Sequence, residues 1–151
     1  MSSSVHQFIS ALERYYGELT PSSLEQLHLF YDDQAFFKDP FNEVRGLDLI
    51  KKIFDHMFET LVNPRFVVTH RLFDNEQAFM CWTFVFATKS NPTNTYKVAG
   101  SSHLTLMQSP NGAFLIKAHR DYWDPAQEIY EKIPLLSFVF RWLRKQLSAT
   151  N

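Results

Sequence analysis

The spacing of apolar residues changes once along this chain, and that change decides what it can fold into. Before Asn63-Pro64 the apolar side chains recur at helical intervals. After it come four runs rich in β-branched and aromatic residues: Phe66–Phe73, Gln77–Thr88, Thr95–Met107 and Ala113–Trp123. Short turn-forming stretches separate them, at Asp74-Asn75-Glu76, Asn91-Pro92-Thr93-Asn94 and Ser109-Pro110-Asn111-Gly112. Long strands joined by short turns predict an antiparallel meander. Helices first and a sheet afterwards is the α+β pattern, with the helices packed on one face of a curved sheet.

The helical half reads as three segments. Ser4 and Gln7 form a capping signal, followed by Val5, Phe8, Ile9, Leu12, Tyr15 and Tyr16 on one stripe. After a break at Gly17, Thr20 and Pro21 start a second helix with Leu24, Leu27 and Phe30 inward. Residues 31–39 read as a short strand and Asn42 to Gly46 as a loop. A third helix opens near Gly46, turns Ile50, Ile53, Phe54, Met57, Phe58 and Leu61 inward, and ends at Asn63-Pro64. Asp124-Pro125 starts a further helix, Pro134 interrupts it, and residues 135–147 carry Leu136, Val139, Phe140, Leu143 and Leu147 on one stripe. The expectation is one domain over residues 1–151, with a core at 5–124 and a C-terminal helical extension at 125–148.

Composition narrows the function. Fifteen Phe, six Tyr and three Trp make 16% of the residues aromatic, which implies an aromatic core or a ring-lined cavity. A net charge of −1 with dispersed Lys and Arg lacks the basic stripe that nucleic-acid binding needs. A single cysteine, Cys81, permits no internal disulfide and fits a reducing compartment. Met1 to Ser4 lack the features of a signal peptide, and no apolar run approaches the ~20 residues of a membrane span. The chain therefore reads as soluble and cytoplasmic. Four glycines leave no room for a phosphate-binding loop, the nucleophile motif G-x-S-x-G is absent, and the six histidines show no metal-ligand spacing. Neither a metal nor a cofactor is expected.

Arg14-Tyr15, the run from Tyr31 to Phe41 ending in Asp39-Pro40-Phe41, Gly46 at the head of the third helix, and Asp121-Tyr122-Trp123-Asp124 on the last strand carry a resemblance. Over about residues 5–124 the chain resembles the nuclear transport factor two-like superfamily, in particular its ketosteroid isomerase and SnoaL-like polyketide cyclase branches. The resemblance implies an α+β cone-shaped roll of N-terminal helices against a strongly curved antiparallel sheet, with the C-terminal helix as an addition. It further implies a pocket for a small, largely apolar ligand, a homodimer, and cofactor-free isomerisation or cyclisation by acid–base chemistry. In the isomerase branch the Asp39 position removes a proton next to a carbonyl and the Tyr15 position donates to the enolate oxygen. The cyclase branch places its base on the last strand, where Asp121 is the match.

Other physical readings stand beside these roles. A carboxylate at the mouth of an apolar cone is poorly solvated, which raises its pKa toward that of a useful base, but Asp39-Pro40 is equally a turn starter. Tyr15 fits an ordinary core stripe, Asp121 a salt bridge, and His119 a satisfied core histidine. Strand alternation puts His119, Asp121 and Trp123 on one face. Trp82 and Phe54 are candidate walls of a ligand pocket. The isomerase branch has a second acid on the strand Thr95–Met107, where this chain offers Ser101, Ser102 and His103, leaving His103 or Ser102 as a substitute donor. The alternative to an enzyme is a non-catalytic ligand-binding or dimeric assembly module. The C-terminal helix reads as a lid, a dimer contact or a membrane-surface helix, with Arg141, Arg144 and Lys145 at the headgroups.

Overall fold

The structure, a computed structural model, describes residues 4–125 and 145–147. Helix α1 (Val5–Gly17) begins with the reciprocal cap its sequence predicts: the Gln7 amide donates to Ser4 Oγ at 3.3 Å and the Ser4 amide to Gln7 Oε1 at 3.1 Å. Such a cap contributes about 1 kcal/mol. Phe8, Ile9, Leu12, Tyr15 and Tyr16 are its buried stripe. The second helical segment (Ser22–Leu29) is a 3-10 helix rather than an α-helix. Thr20 and Ser23 bond to each other's backbone amides at 2.9 and 3.2 Å, a local side-chain alternative to regular α-helical pairing.

Strand β1 (Tyr31–Lys38) turns Tyr31, Ala35 and Phe37 into the core. The predicted loop after it is partly ordered as a strand, β2 (Glu43–Arg45), paired antiparallel to β1 through a turn closed by the Asp39 amide on the Asn42 carbonyl at 2.9 Å. Gly46 then takes φ +106°, a conformation side chains resist, and launches α2 (Leu47–Thr60). The helix ends before Asn63-Pro64, which lie inside strand β3 (Leu61–Phe73). There Asn63 has φ +50° and the pairing slips between Val62 and Arg65. Proline has no amide to give a ladder, so the bulge is where it fits.

Strands β4 (Gln77–Thr88), β5 (Asn91–Gln108) and β6 (Phe114–Tyr122) complete the meander. The β4–β5 turn is Lys89-Ser90, so Asn91 to Asn94 begin a strand instead of forming the turn. Among the described residues six strands run in the order β2-β1-β6-β5-β4-β3, all neighbours antiparallel except β1 with β6, which are parallel. This curled sheet holds the helices on its inner face around Ile9, Leu12, Leu24, Leu27, Ile50, Leu104 and Ile116, each at most 2% exposed. Arg71 on β3 ties α1 to the sheet through Glu13 at 2.5 Å.

Residues 145–147 are helical; the rest of the predicted C-terminal extension lies outside the described residues apart from its first residue, Pro125. None of the described helices is long and apolar enough to cross a membrane.

Candidate functional site

Between α2, the β1–β2 turn and the inner face of the sheet lies a cavity of about 530 Å³, walled by Phe54, Phe66, Trp82, Phe84 and Trp123 and carrying Asp39 and Asp121. A recess of about 20 Å³, lined among others by Tyr16, Ser102, His119 and Asp121, adjoins it. Phe54, Phe66, Trp82 and Asp121 belong to both linings and form the neck between them.

The polar groups of the recess form one hydrogen-bonded chain. Trp82 Nε1 donates to Ser102 Oγ at 2.9 Å, and Ser102 donates to Asp121 Oδ1 at 2.5 Å. His119 Nε2 meets the same Oδ1 at 2.7 Å. On the far side of the imidazole, Nδ1 lies 2.6 Å from the Tyr31 hydroxyl, which lies 2.5 Å from that of Tyr16. His119 is 3% and Ser102 4% exposed, and the Asp121 side chain 15%. No buried side-chain polar atom among the described residues lacks a partner. The strands explain the convergence: Ser102 and Asp121 are register partners across β5 and β6, and His119 precedes Asp121 by two residues on the same face of β6.

Burial holds the phenols in their neutral form. The Tyr15 hydroxyl is pushed up to about 12, while its hydrogen bond to Ser23 pulls the other way. Tyr16 and Tyr31 are driven further above the ordinary value of 10.0, again chiefly by burial. A raised folded pKa favours the protonated form, so this stabilisation is fully present below about pH 10 and is lost as pH rises through the folded values. Urea midpoints are expected to fall above pH 10, with the buried tyrosines ionising only as the protein unfolds. Complete tyrosinate formation at pH 11 without loss of secondary structure would contradict this.

The residues singled out from sequence divide. Asp121, His119, Trp82 and Phe54 line the recess, and Trp123 stands at the wall of the outer cavity with its ring edge-on to Phe41 at 5.4 Å. Asp39 also lines the outer cavity, but its Oδ1 is taken up by its own turn, accepting from the Phe41 and Asn42 amides at 2.8 and 2.6 Å and from Asn42 Nδ2 at 3.1 Å. Tyr15 lines neither compartment: its hydroxyl donates to the Ser23 carbonyl at 2.8 Å and its ring stacks on Phe30 at 4.6 Å. His103 lies on the opposite face of the sheet, stacked on Phe79 at 4.3 Å. Tyr16 and Tyr31 complete the chain and are absent from the sequence-derived set. Tyr16 sits on the same stripe as Tyr15, one residue further round α1, so helical spacing alone admits either hydroxyl.

Several solved structures share this architecture. A hypothetical protein of Catenulispora acidiphila with a ketosteroid isomerase-like fold, solved in complex with trimethylamine, superposes with TM-score 0.66 at 13% identity, covering 83% of this chain and 92% of that one. An NTF2-like protein of unknown function from Burkholderia pseudomallei gives 0.66 at 12% identity, covering 81% and 94%. The proposed SnoaL-like polyketide cyclase of Shewanella denitrificans gives 0.61 at 16%, covering 85% and 95%. At such identities the likeness is one of fold alone. No curated protein sequence matches the chain. Residues 12–109, more than half of the chain, match the family model of the SnoaL-like domain, and the chain belongs to that family.

Proposed function

We propose that the cone binds a small, largely apolar molecule carrying a carbonyl or hydroxyl, and that Asp121 acts on it as the base of a cofactor-free proton shift or ring closure. The observation that carries this reading is the position of Asp121. Its carboxylate stands in the neck between a ring-lined cavity and a polar recess, with Oδ1 held by Ser102 and His119. Two donors on one oxygen orient the carboxylate. Among the described residues none donates to Oδ2, which leaves that oxygen for a ligand proton. A volume of about 530 Å³ suits a small organic ligand. The Tyr16 phenol, at the other end of the chain, faces the recess where Tyr15 does not.

A second reading, ligand binding without turnover, draws support from Asp39, whose engagement by its own turn leaves one carboxylate for chemistry. The test is a thermal-shift screen of bicyclic alcohols, ketones and hydrocarbons, followed by deuterium exchange at carbon in 2-acetyl-1-tetralone, a β-diketone with an enol hydroxyl. Exchange above buffer that falls at least ~100-fold in Asp121→Asn supports the base. Binding with no exchange supports the second reading, and a panel in which nothing binds removes the pocket.

A further inference from the structure

The protons of the recess can be counted, and the count constrains the ligand. Trp82 Nε1 only donates, so the Ser102 hydroxyl accepts from it and gives its own hydrogen to Asp121. An ionised Asp121 only accepts, so the proton of a neutral His119 sits on Nε2 and Nδ1 is bare. Tyr31 therefore donates to Nδ1 at 2.6 Å, and Tyr16, whose hydroxyl lies 3.4 Å from Nδ1 and 2.5 Å from that of Tyr31, donates to Tyr31. Every hydrogen in the chain is consumed inside it, and all of them point toward Asp121. The free valences toward the recess are the second carboxylate oxygen and the lone pairs of Tyr16 and Ser102. The remaining lining residues of the recess, Phe54, Phe66, Val68 and Met80, bring no donor.

From this we infer that the site selects a ligand whose polar end is a single neutral hydrogen-bond donor, a hydroxyl on an apolar ring body, and rejects ketones and carboxylates of the same shape. This deepens the proposed pocket and rests on it. The recess, with about 20 Å³ open to a water-sized group, has room for a hydroxyl. An anion would meet the Asp121 charge. A ketone oxygen would face only acceptors and lose its hydration without replacement, a mismatch costing on the order of tenfold to a hundredfold in affinity.

The experiment compares three probes of one shape, indan-1-ol, indan-1-one and indane, by calorimetric titration. The titrations are run at pH 8. Wild type is expected to bind the alcohol at least ~10-fold more tightly than the ketone. In Asp121→Asn the amide oxygen still accepts from His119 and Ser102 while its NH₂ faces the recess, so the preference should invert toward the ketone. Equal binding of alcohol and ketone by wild type, or a preference unchanged in Asp121→Asn, overturns the inference while leaving the pocket standing. Failure of all three probes, indane included, counts against the pocket itself and the inference with it.

Discussion

Asp121→Leu is expected to lower stability by roughly 3 kcal/mol, whereas Asp121→Asn stays within about 1 kcal/mol of wild type. Leucine fills the space but accepts nothing, so the Ser102 hydroxyl and the His119 Nε2 proton both lose the oxygen that satisfies them. Each buried donor left unpaired costs about 1–3 kcal/mol. With the Asp121 side chain 15% exposed, water replaces only part of what is lost. Asparagine keeps an oxygen at the same place and so preserves the chain while removing the charge. Urea unfolding of the two variants checks the contrast, and a leucine variant as stable as wild type would mean that the chain does not hold this face of the core together. The same pair separates stability from function, because the asparagine variant should fold normally yet fail as a base.

Gly100→Ala should also be costly, for a steric reason that has nothing to do with backbone conformation. A Cβ at this position would lie 2.4 Å from Cη2 of Trp82 and 2.7 and 2.8 Å from its neighbours Cζ3 and Cζ2. The indole cannot yield freely: its Nε1 is held by Ser102, and its face meets Phe66 nearly at right angles, 5.4 Å between centroids. Overpacking of this kind costs about 1–3 kcal/mol, and the displaced ring would move the neck between cavity and recess. The three atoms nearest the added Cβ all belong to the outer ring, so Trp82→Phe should relieve the clash. The double variant Gly100→Ala/Trp82→Phe is expected to be more stable than Gly100→Ala alone, a non-additive result. Additive losses in thermal unfolding would show that Gly100 does not serve as the seat of Trp82.

How much of this is legible in the sequence depends on the range of the forces involved. The α1 cap, the inward stripes and the strand runs are local signals, and they are found where the periodicities place them. Asn63-Pro64 and Asn91-Pro92 misled because a proline next to asparagine reads as a break in the chain, while long-range pairing turned the first into a bulge and drew the second into β5. In the site, strand alternation alone puts His119 and Asp121 on one face. Which tyrosine of α1 reaches them is different, because Tyr15 and Tyr16 both lie on the buried stripe. The crossing of α1 over the sheet decides between them, and that angle is a tertiary quantity. Ser102 rather than His103 faces inward because of the register of β5 against β6, which pairs Ser102 with Asp121. A two-residue period narrows the choice to alternate positions but leaves open which set points in.

The most direct test is a crystal structure of the protein with indan-1-ol bound. The alcohol oxygen is expected in the recess, within about 2.6–3.2 Å of Asp121 Oδ2, with the indane rings between Phe54, Phe66 and Trp82. An alcohol seated instead at the Asp39 turn, on the outer face of the sheet, or in the cone with its oxygen turned away from Asp121 would contradict it.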